Sequence, residues 1–349
     1  MPERSAKLLA ELTTLRLGGP ARRLLHADNE TALLDAVRDA DRTGTPLLLV
    51  AGGSNLVVAD SGFDGTVVRV ETRGVAVEQD MCSGAMVTVA AGEPWDPFVA
   101  DAVSRGFVGI EALSGIPGSV GATPIQNVGA YGQEVAETIA SVRCWDRVDG
   151  VQRTFAASEC GFGYRTSRFK QDPQRHVVLA VTFQFRLGEL AAPVRYAELA
   201  RSLGVQVGAR VPMTEVRDTV LRLRRRKGMV LDAEDHDTWS AGSFFTNPFL
   251  DADAADRLPA GAPRWEQADG TTKTSAAWLI ENAGFGKGYG NGRAALSGKH
   301  TLALTNRGAA RTDDLLALAA EVQRGVYDRF GIWLVNEPVL VGCDLPVPA

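Results

Sequence analysis

Apolar positions in residues 30–42 fall at Leu33, Leu34 and Val37, one stripe of a 3.6-residue period. They predict an amphipathic helix with Asp28 or Asn29 as its cap. Short apolar runs at Leu47 to Val50, Val67 to Val70 and Val87 to Ala91 predict strands instead, the first buried on both faces. From Glu71 to about Arg210 strands dominate, notably Val142 to Trp145 and the partly alternating Val177 to Phe185, with shorter helices such as Trp95 to Arg105. Helical spacing returns at Thr214 to Lys227, where Val216, Val220 and Leu223 face inward behind Pro212. That helix runs out in Arg224-Arg225-Arg226-Lys227 and Gly228, a cationic last turn with a glycine stop. Beyond it, Ser275 to Asn282 predicts a short helix ended by Gly284, Leu302 to Leu304 a strand, and Asp313 to Phe330 a long helix. The acidic piece Asp251 to Asp256 reads as a surface loop or a short helix.

Two stretches follow neither period. Gly115 to Gly132 strings five glycines through small, polar and apolar residues, and Ala51-Gly52-Gly53-Ser54-Asn55-Leu56 follows the first apolar strand. Such segments gain little from packing their own side chains. They offer backbone free to take positive φ and N–H groups that can come close to phosphates. Two of them in one chain point to a dinucleotide cofactor, although a glycine pair alone also marks an ordinary β-turn. The spacing is not the strand–G-x-G-x-x-G–helix fingerprint of an NAD domain. Gly284 to Gly290 follows a helix rather than a strand and reads as a helix end and loop.

At 349 residues the chain has room for two or three domains, and 45% hydrophobic with 23% charged residues is an ordinary globular profile. A net charge of −5 argues against nucleic acid as a partner. The four cysteines, Cys82, Cys144, Cys160 and Cys343, show no C-x-x-C spacing and fit a reduced, cytoplasmic setting. No secretory signal opens Met1 to Gly18, no apolar run approaches the ~20 residues of a membrane span, and the four dispersed histidines suggest no metal site.

Further segments carry a resemblance. Gly163-Tyr164-Arg165-Thr166-Ser167-Arg168-Phe169-Lys170, Ala241-Gly242-Ser243-Phe244-Phe245-Thr246-Asn247-Pro248 and Trp333-Leu334-Val335-Asn336-Glu337-Pro338 follow the two glycine loops in chain order. Together the five resemble the flavin-binding loops, Tyr-Arg-x-Ser segment, catalytic-serine segment and terminal glutamate of the UDP-N-acetylenolpyruvoylglucosamine reductase family. Val194-Arg195-Tyr196-Ala197-Glu198-Leu199 is similar to a loop that folds over the substrate in one subclass of that family. In two details the chain departs: Pro338 follows the glutamate rather than preceding it, and Thr246 stands where some members have lysine.

The resemblance implies an α+β fold of three lobes: a two-lobe FAD-binding unit of the vanillyl-alcohol-oxidase type plus a C-terminal substrate domain. The lobes would be residues 1–70 with 332–349, residues 71–227, and residues 228–331. It implies a monomer with non-covalent FAD, NADPH as co-substrate, and UDP-N-acetylglucosamine-enolpyruvate reduced to UDP-N-acetylmuramate for peptidoglycan synthesis. Flavin N5 would give hydride to the vinyl methylene carbon, and Ser243 a proton to the adjacent carbon. Arg165 would hold the substrate carboxylate in a fork geometry, and Glu337 would assist the same intermediate. Flavin contacts would come from Gly52, Gly53, Ser54, Asn55, Ile116, Pro117, Ser119, Thr123 and Tyr131. The substrate side would hold Tyr164, Tyr196, Lys227, Asn247 and His300. Each has a plainer reading beside this one: Ser243 as a buried turn, Arg165 as an ion-pair residue, Glu337 as a cap, Lys227 as a solvated helix end, Tyr196 as a surface tyrosine. Two rivals stand further off. An oxygen-using flavin oxidase would often tether its flavin through His or Cys, and neither occurs in the glycine loops. A nucleotide-sugar sensor would need no proton donor.

Overall fold

Asn29 accepts the Ala32 N–H at 2.9 Å and so starts helix Glu30–Thr43, which ends at Gly44 in the left-handed conformation. In this computed structural model, residues 8–80 and 83–346 are described, and the chain divides into two units. The first comprises Arg23–Gly52 and Gly65–Arg226; the second comprises residues 8–22, Gly53–Asp64 and residues 227–346. Cys82 lies outside the described residues; Cys144, Cys160 and Cys343 are free thiols.

In the first unit an antiparallel sheet runs in the order Val151–Ala156, Ile139–Asp146, His176–Leu187, Gly84–Ala90, Val75–Asp80. The long strand His176–Leu187 explains the partial alternation in its sequence, because Val177 to Val181 are buried on both faces whereas Phe183 and Phe185 alternate with exposed Gln184 and Arg186. Val178, Val181, Phe183 and Phe185 pack into one core with helices Trp95–Ser104 and Met213–Arg226, while Val177 and Leu179 pack with helix Glu30–Thr43. A register shift between Arg143 and Cys144 in the neighbouring strand accompanies the change of face. A three-stranded sheet in the order Ala21–Ala27, Phe63–Val70, Leu47–Val50 holds the predicted apolar run, paired parallel to Phe63–Val70. Of that run Leu47 and Val50 are buried, and Leu48 and Leu49 only half-buried. Helix Met213–Arg226 buries Met213, Val216, Thr219, Val220 and Leu223, the stripe its spacing predicts.

In the second unit helix Thr312–Phe330 buries Leu315, Leu318, Ala319, Val322 and Val326 against helix Ala276–Asn282 and the hairpin Ala294–Leu296 with Leu304–Asn306. The expected strand at Leu302 to Leu304 is displaced by two residues. Ala303 instead donates to the His300 carbonyl at 3.1 Å in a turn, and the Leu302 carbonyl accepts from Phe244 at 2.7 Å. The apolar side chains there fill a buried turn, which hydropathy alone cannot tell from a strand. Strand Leu56–Val58 pairs parallel with Val339–Val341. The acidic piece forms the short helix Ala252–Asp256, capped by Asp251. Among the described residues no helix is long and apolar enough to cross a membrane, and no group of three potential ligands could hold a metal ion.

Candidate functional site

The glycine run of the first unit is held as an irregular loop by backbone bonds to its neighbours. The Gly118 carbonyl accepts from Trp95 at 3.0 Å, Val120 donates to Glu93 at 2.9 Å, and Gly121 donates to Ala91 at 2.8 Å. Thr123 turns its hydroxyl back onto the Val120 carbonyl at 2.8 Å, while Ile116 and Pro117 stay half-buried. Gly52 lies against this loop so tightly that a Cβ on it would sit 2.5 Å from the Gly118 Cα, so only glycine fits. Asp96 accepts the Gly115 N–H at 2.6 Å and two bonds from Arg217, at 2.6 and 3.0 Å. Burial opposes ionisation of Asp96, yet Arg217 and the Gly115 N–H outweigh it and hold the carboxyl below its usual range.

Among the described residues, three of the four positive-φ residues that are not glycine, Asn127, Tyr131 and Arg165, belong to this loop or to the segment beside it. Such backbone is strained and persists only where surrounding contacts fix it. Those contacts are on view. Arg165 donates to the Asn127 carbonyl at 3.3 Å and to the Gly129 carbonyl at 2.7 Å, with its guanidinium 5.3 Å from the Tyr164 ring centre. Ser167 Oγ donates to the Ile125 carbonyl at 2.5 Å, and the Asn127 amide donates to Glu134 and to the Gly163 carbonyl. The Tyr131 ring meets the Tyr196 ring edge-on at 5.6 Å. Burial pushes the Tyr131 phenol up to about 12, with nearby Arg224 working the other way.

Glu111, missed by the sequence reading, is fully buried. Its Oε1 accepts from Gln133 Nε2 at 2.9 Å and Ala192 N at 2.7 Å, and its Oε2 accepts from Gly109 N at 2.7 Å. One carboxylate therefore ties the exit of the glycine loop to the segment that leads to Tyr196. A glutamate in an apolar stretch carries no sequence sign of this role, since its partners lie up to 81 positions away.

The second unit holds Gly53, Ser54 and Asn55, which lead into strand Leu56–Val58. Gly53 has φ +58 and packs on the Leu12 carbonyl, so a side chain there is excluded twice over. Asn55 accepts from Val339 N at 2.9 Å and donates from Nδ2 to the Glu337 carbonyl at 3.4 Å. Glu337 N donates to the Phe244 carbonyl at 2.8 Å, Phe245 forms a β-bridge with Asn336, and Thr246 N donates to Val335 at 3.0 Å. Phe244 and Phe245 are both buried, which locks the backbone next to Ser243. Thus Asn55, Ser243 and Glu337 are brought into one laced backbone patch. Asn247 uses Oδ1 to accept from Ala276 N at 3.0 Å, helping Ser275 to start helix Ala276–Asn282. Lys227 precedes Gly228, whose φ of +66 stops the helix, and His300 sits in the turn before Ala303.

The residues present fit a flavin dinucleotide. The buried Ser119 hydroxyl finds no hydrogen-bond partner among the described residues, and it lies on a loop whose close approach to Gly52 leaves backbone rather than side chains to face a ligand. The chain is a flavoprotein oxidoreductase of α+β fold: residues 21–155 match the FAD binding domain family. Residues 233–341 match the C-terminal domain of UDP-N-acetylenolpyruvoylglucosamine reductase. The UDP-N-acetylenolpyruvoylglucosamine reductase of Cutibacterium acnes is 59% identical over 340 residues, 97% of this chain and 90% of the relative. That of Streptomyces coelicolor is 57% identical over 348 residues, with the same coverage of 97% and 90%. The crystal structure of the reductase from Thermus caldophilus superposes with a TM-score of 0.66 at 25% identity, covering 97% of this chain and all of that one. This chain belongs to the UDP-N-acetylenolpyruvoylglucosamine reductase family, and its cofactor is FAD.

Proposed function

We propose that the chain catalyses the NADPH-dependent reduction of UDP-N-acetylglucosamine-enolpyruvate to UDP-N-acetylmuramate, with Ser243 as proton donor. The reading rests above all on the lacing of the Ser243 segment to the Glu337 segment, through Glu337 N to Phe244 O at 2.8 Å and the Phe245–Asn336 bridge. A proton donor needs a fixed position relative to the carbon it serves, and buried Phe244 and Phe245 give Ser243 one.

FAD, when bound, would supply the hydride, with NADPH as its source. Ser243 then protonates the carbon that bears the carboxylate. A hydroxyl is a weak acid, so it acts only toward a strong base such as the enolate formed on the substrate. Arg165 steadies that charge with its planar fork; its bonds to two backbone carbonyls hold the guanidinium in place beforehand. Glu337 assists the same charge. Gly52, Gly53, Ser54, Asn55, Ile116, Pro117, Ser119, Thr123 and Tyr131 hold the flavin without a covalent tether. Tyr164, Tyr196, Lys227, Asn247 and His300 hold the nucleotide sugar, with Tyr196 as its cover. The lobes are residues 1–70 with 332–349, 71–227 and 228–331, in a cytoplasmic monomer that takes neither nucleic acid nor membrane as partner.

The test is anaerobic. NADPH is expected to bleach the flavin, and only UDP-N-acetylglucosamine-enolpyruvate to restore its colour. Ser243→Ala should keep its flavin and its bleaching by NADPH, yet turn over at least ~10²-fold more slowly, the low end for a lost proton donor. Colour that returns only with air would favour an oxidase, and near-parental turnover of the variant would remove Ser243 from the mechanism.

A further inference from the structure

The turn Asp235–Trp239 lies in the second unit just before the Ser243 segment, and it is fastened to more of its surroundings than a connecting turn requires. Asp235 caps it by accepting from Asp237 N at 3.0 Å and pairs with Lys299. The Asp237 carboxylate accepts the Gly298 N–H at 2.9 Å and Arg307 Nη1 at 2.7 Å. A Cβ on Gly298 would lie 3.2 Å from Asp237 Oδ2, and one on Gly228 would lie 2.8 Å from the Asp237 carbonyl and 3.5 Å from Lys299 Cδ. The Lys227-Gly228 step and the Gly298-Lys299-His300 step therefore both rest on this one turn. On its far side Asn306 N donates to the Trp239 carbonyl at 3.0 Å and Ser240 bridges Thr305, fixing the turn to the hairpin.

We propose that Asp237 is a positioning residue whose carboxylate, by holding the Gly298 N–H and Arg307, sets His300 for the nucleotide sugar. The inference rests on the reading above that His300 holds that substrate. Chemistry favours a carboxylate here. It accepts two charge-assisted or backbone bonds at once, so one side chain clamps the Gly298 backbone and Arg307 together. It touches no reacting atom, so its loss should weaken substrate binding while sparing flavin chemistry.

The experiment uses the FAD-loaded full chain, with KM for UDP-N-acetylglucosamine-enolpyruvate, the rate of flavin reduction by NADPH alone, flavin content and melting temperature measured together. Asp237→Ala is expected to raise KM by about 10-fold, the equivalent of one lost charge-assisted bond, with flavin reduction unchanged. Asp237→Asn, which keeps an acceptor for Gly298, should raise it less. In the double variant with His300→Ala the two effects should fall short of their product, because one acts through the other. Gly298→Ala perturbs the same contact from the other side and should raise KM in the same direction, which keeps the test open if Asp237→Ala does not fold. Unchanged KM in Asp237→Ala beside a raised KM in His300→Ala would overturn the proposal alone, as would fully multiplicative effects. Unchanged KM in His300→Ala would overturn the substrate assignment of His300 and the proposal with it. A lower melting temperature with KM unmoved would mark Asp237 as merely structural.

Discussion

Glu111→Gln changes almost no volume, yet the structure predicts a marked loss of stability. The carboxylate is fully buried and receives three N–H groups, from Gly109, Gln133 and Ala192, at 2.7 to 2.9 Å. A glutamine has one acceptor oxygen in place of two, so its amide nitrogen must face a donor. Gln133 cannot simply turn over to compensate, because its own oxygen accepts from Ala112 N at 2.8 Å. Two bonds then weaken from charged to neutral acceptors and a third is replaced by opposed donors. With bonds to charged groups at ~1.5–3 kcal/mol against about 1 for neutral ones, and a similar penalty for the stranded donor, the sum is about 3 kcal/mol. For a unit of this size that corresponds to a melting temperature lower by about 6–12 °C. Circular dichroism at fixed protein and FAD concentration measures it, since bound cofactor itself shifts the midpoint. A midpoint within about 2 °C of the parent would show that the buried charge is not what holds these three segments, because it would leave less than about 1 kcal/mol to explain.

Gly52→Ala should lower flavin content and weaken FAD binding by about tenfold or more, since its Cβ would meet the Gly118 backbone at 2.5 Å and overpacking costs ~1–3 kcal/mol; a parental flavin-to-protein ratio and affinity would refute this. Asp96, whose folded-state pKa lies below its ordinary value of 3.8, contributes stability that is fully present above that value and is lost as pH falls through the depressed one. Urea unfolding between about pH 5 and 2.5 should therefore show a parental stability that falls more steeply than that of Asp96→Asn; equal slopes would count against the Arg217 pairing as the cause.

The chain's local patterns determined its helices and principal strands. Leu33, Leu34 and Val37, and later Val216, Val220 and Leu223, recur at the period of the helix and are buried where that period places them. Glycine at Gly52 and Gly53 was legible too, because only glycine tolerates such close approach and such φ values. Tertiary structure decided the rest. Asn247, which sequence placed on the substrate side, spends its side-chain oxygen on a helix start 29 residues on. The apolar Leu302 became a turn because its carbonyl was needed by Phe244. The patch around Ser243 depends on Asn55 and Glu337 meeting across 282 positions, and Glu111 on partners as distant as Ala192. Periodicity records which side of an element is apolar. It cannot record which distant backbone groups a buried polar atom must satisfy, because that demand exists only once the segments have met.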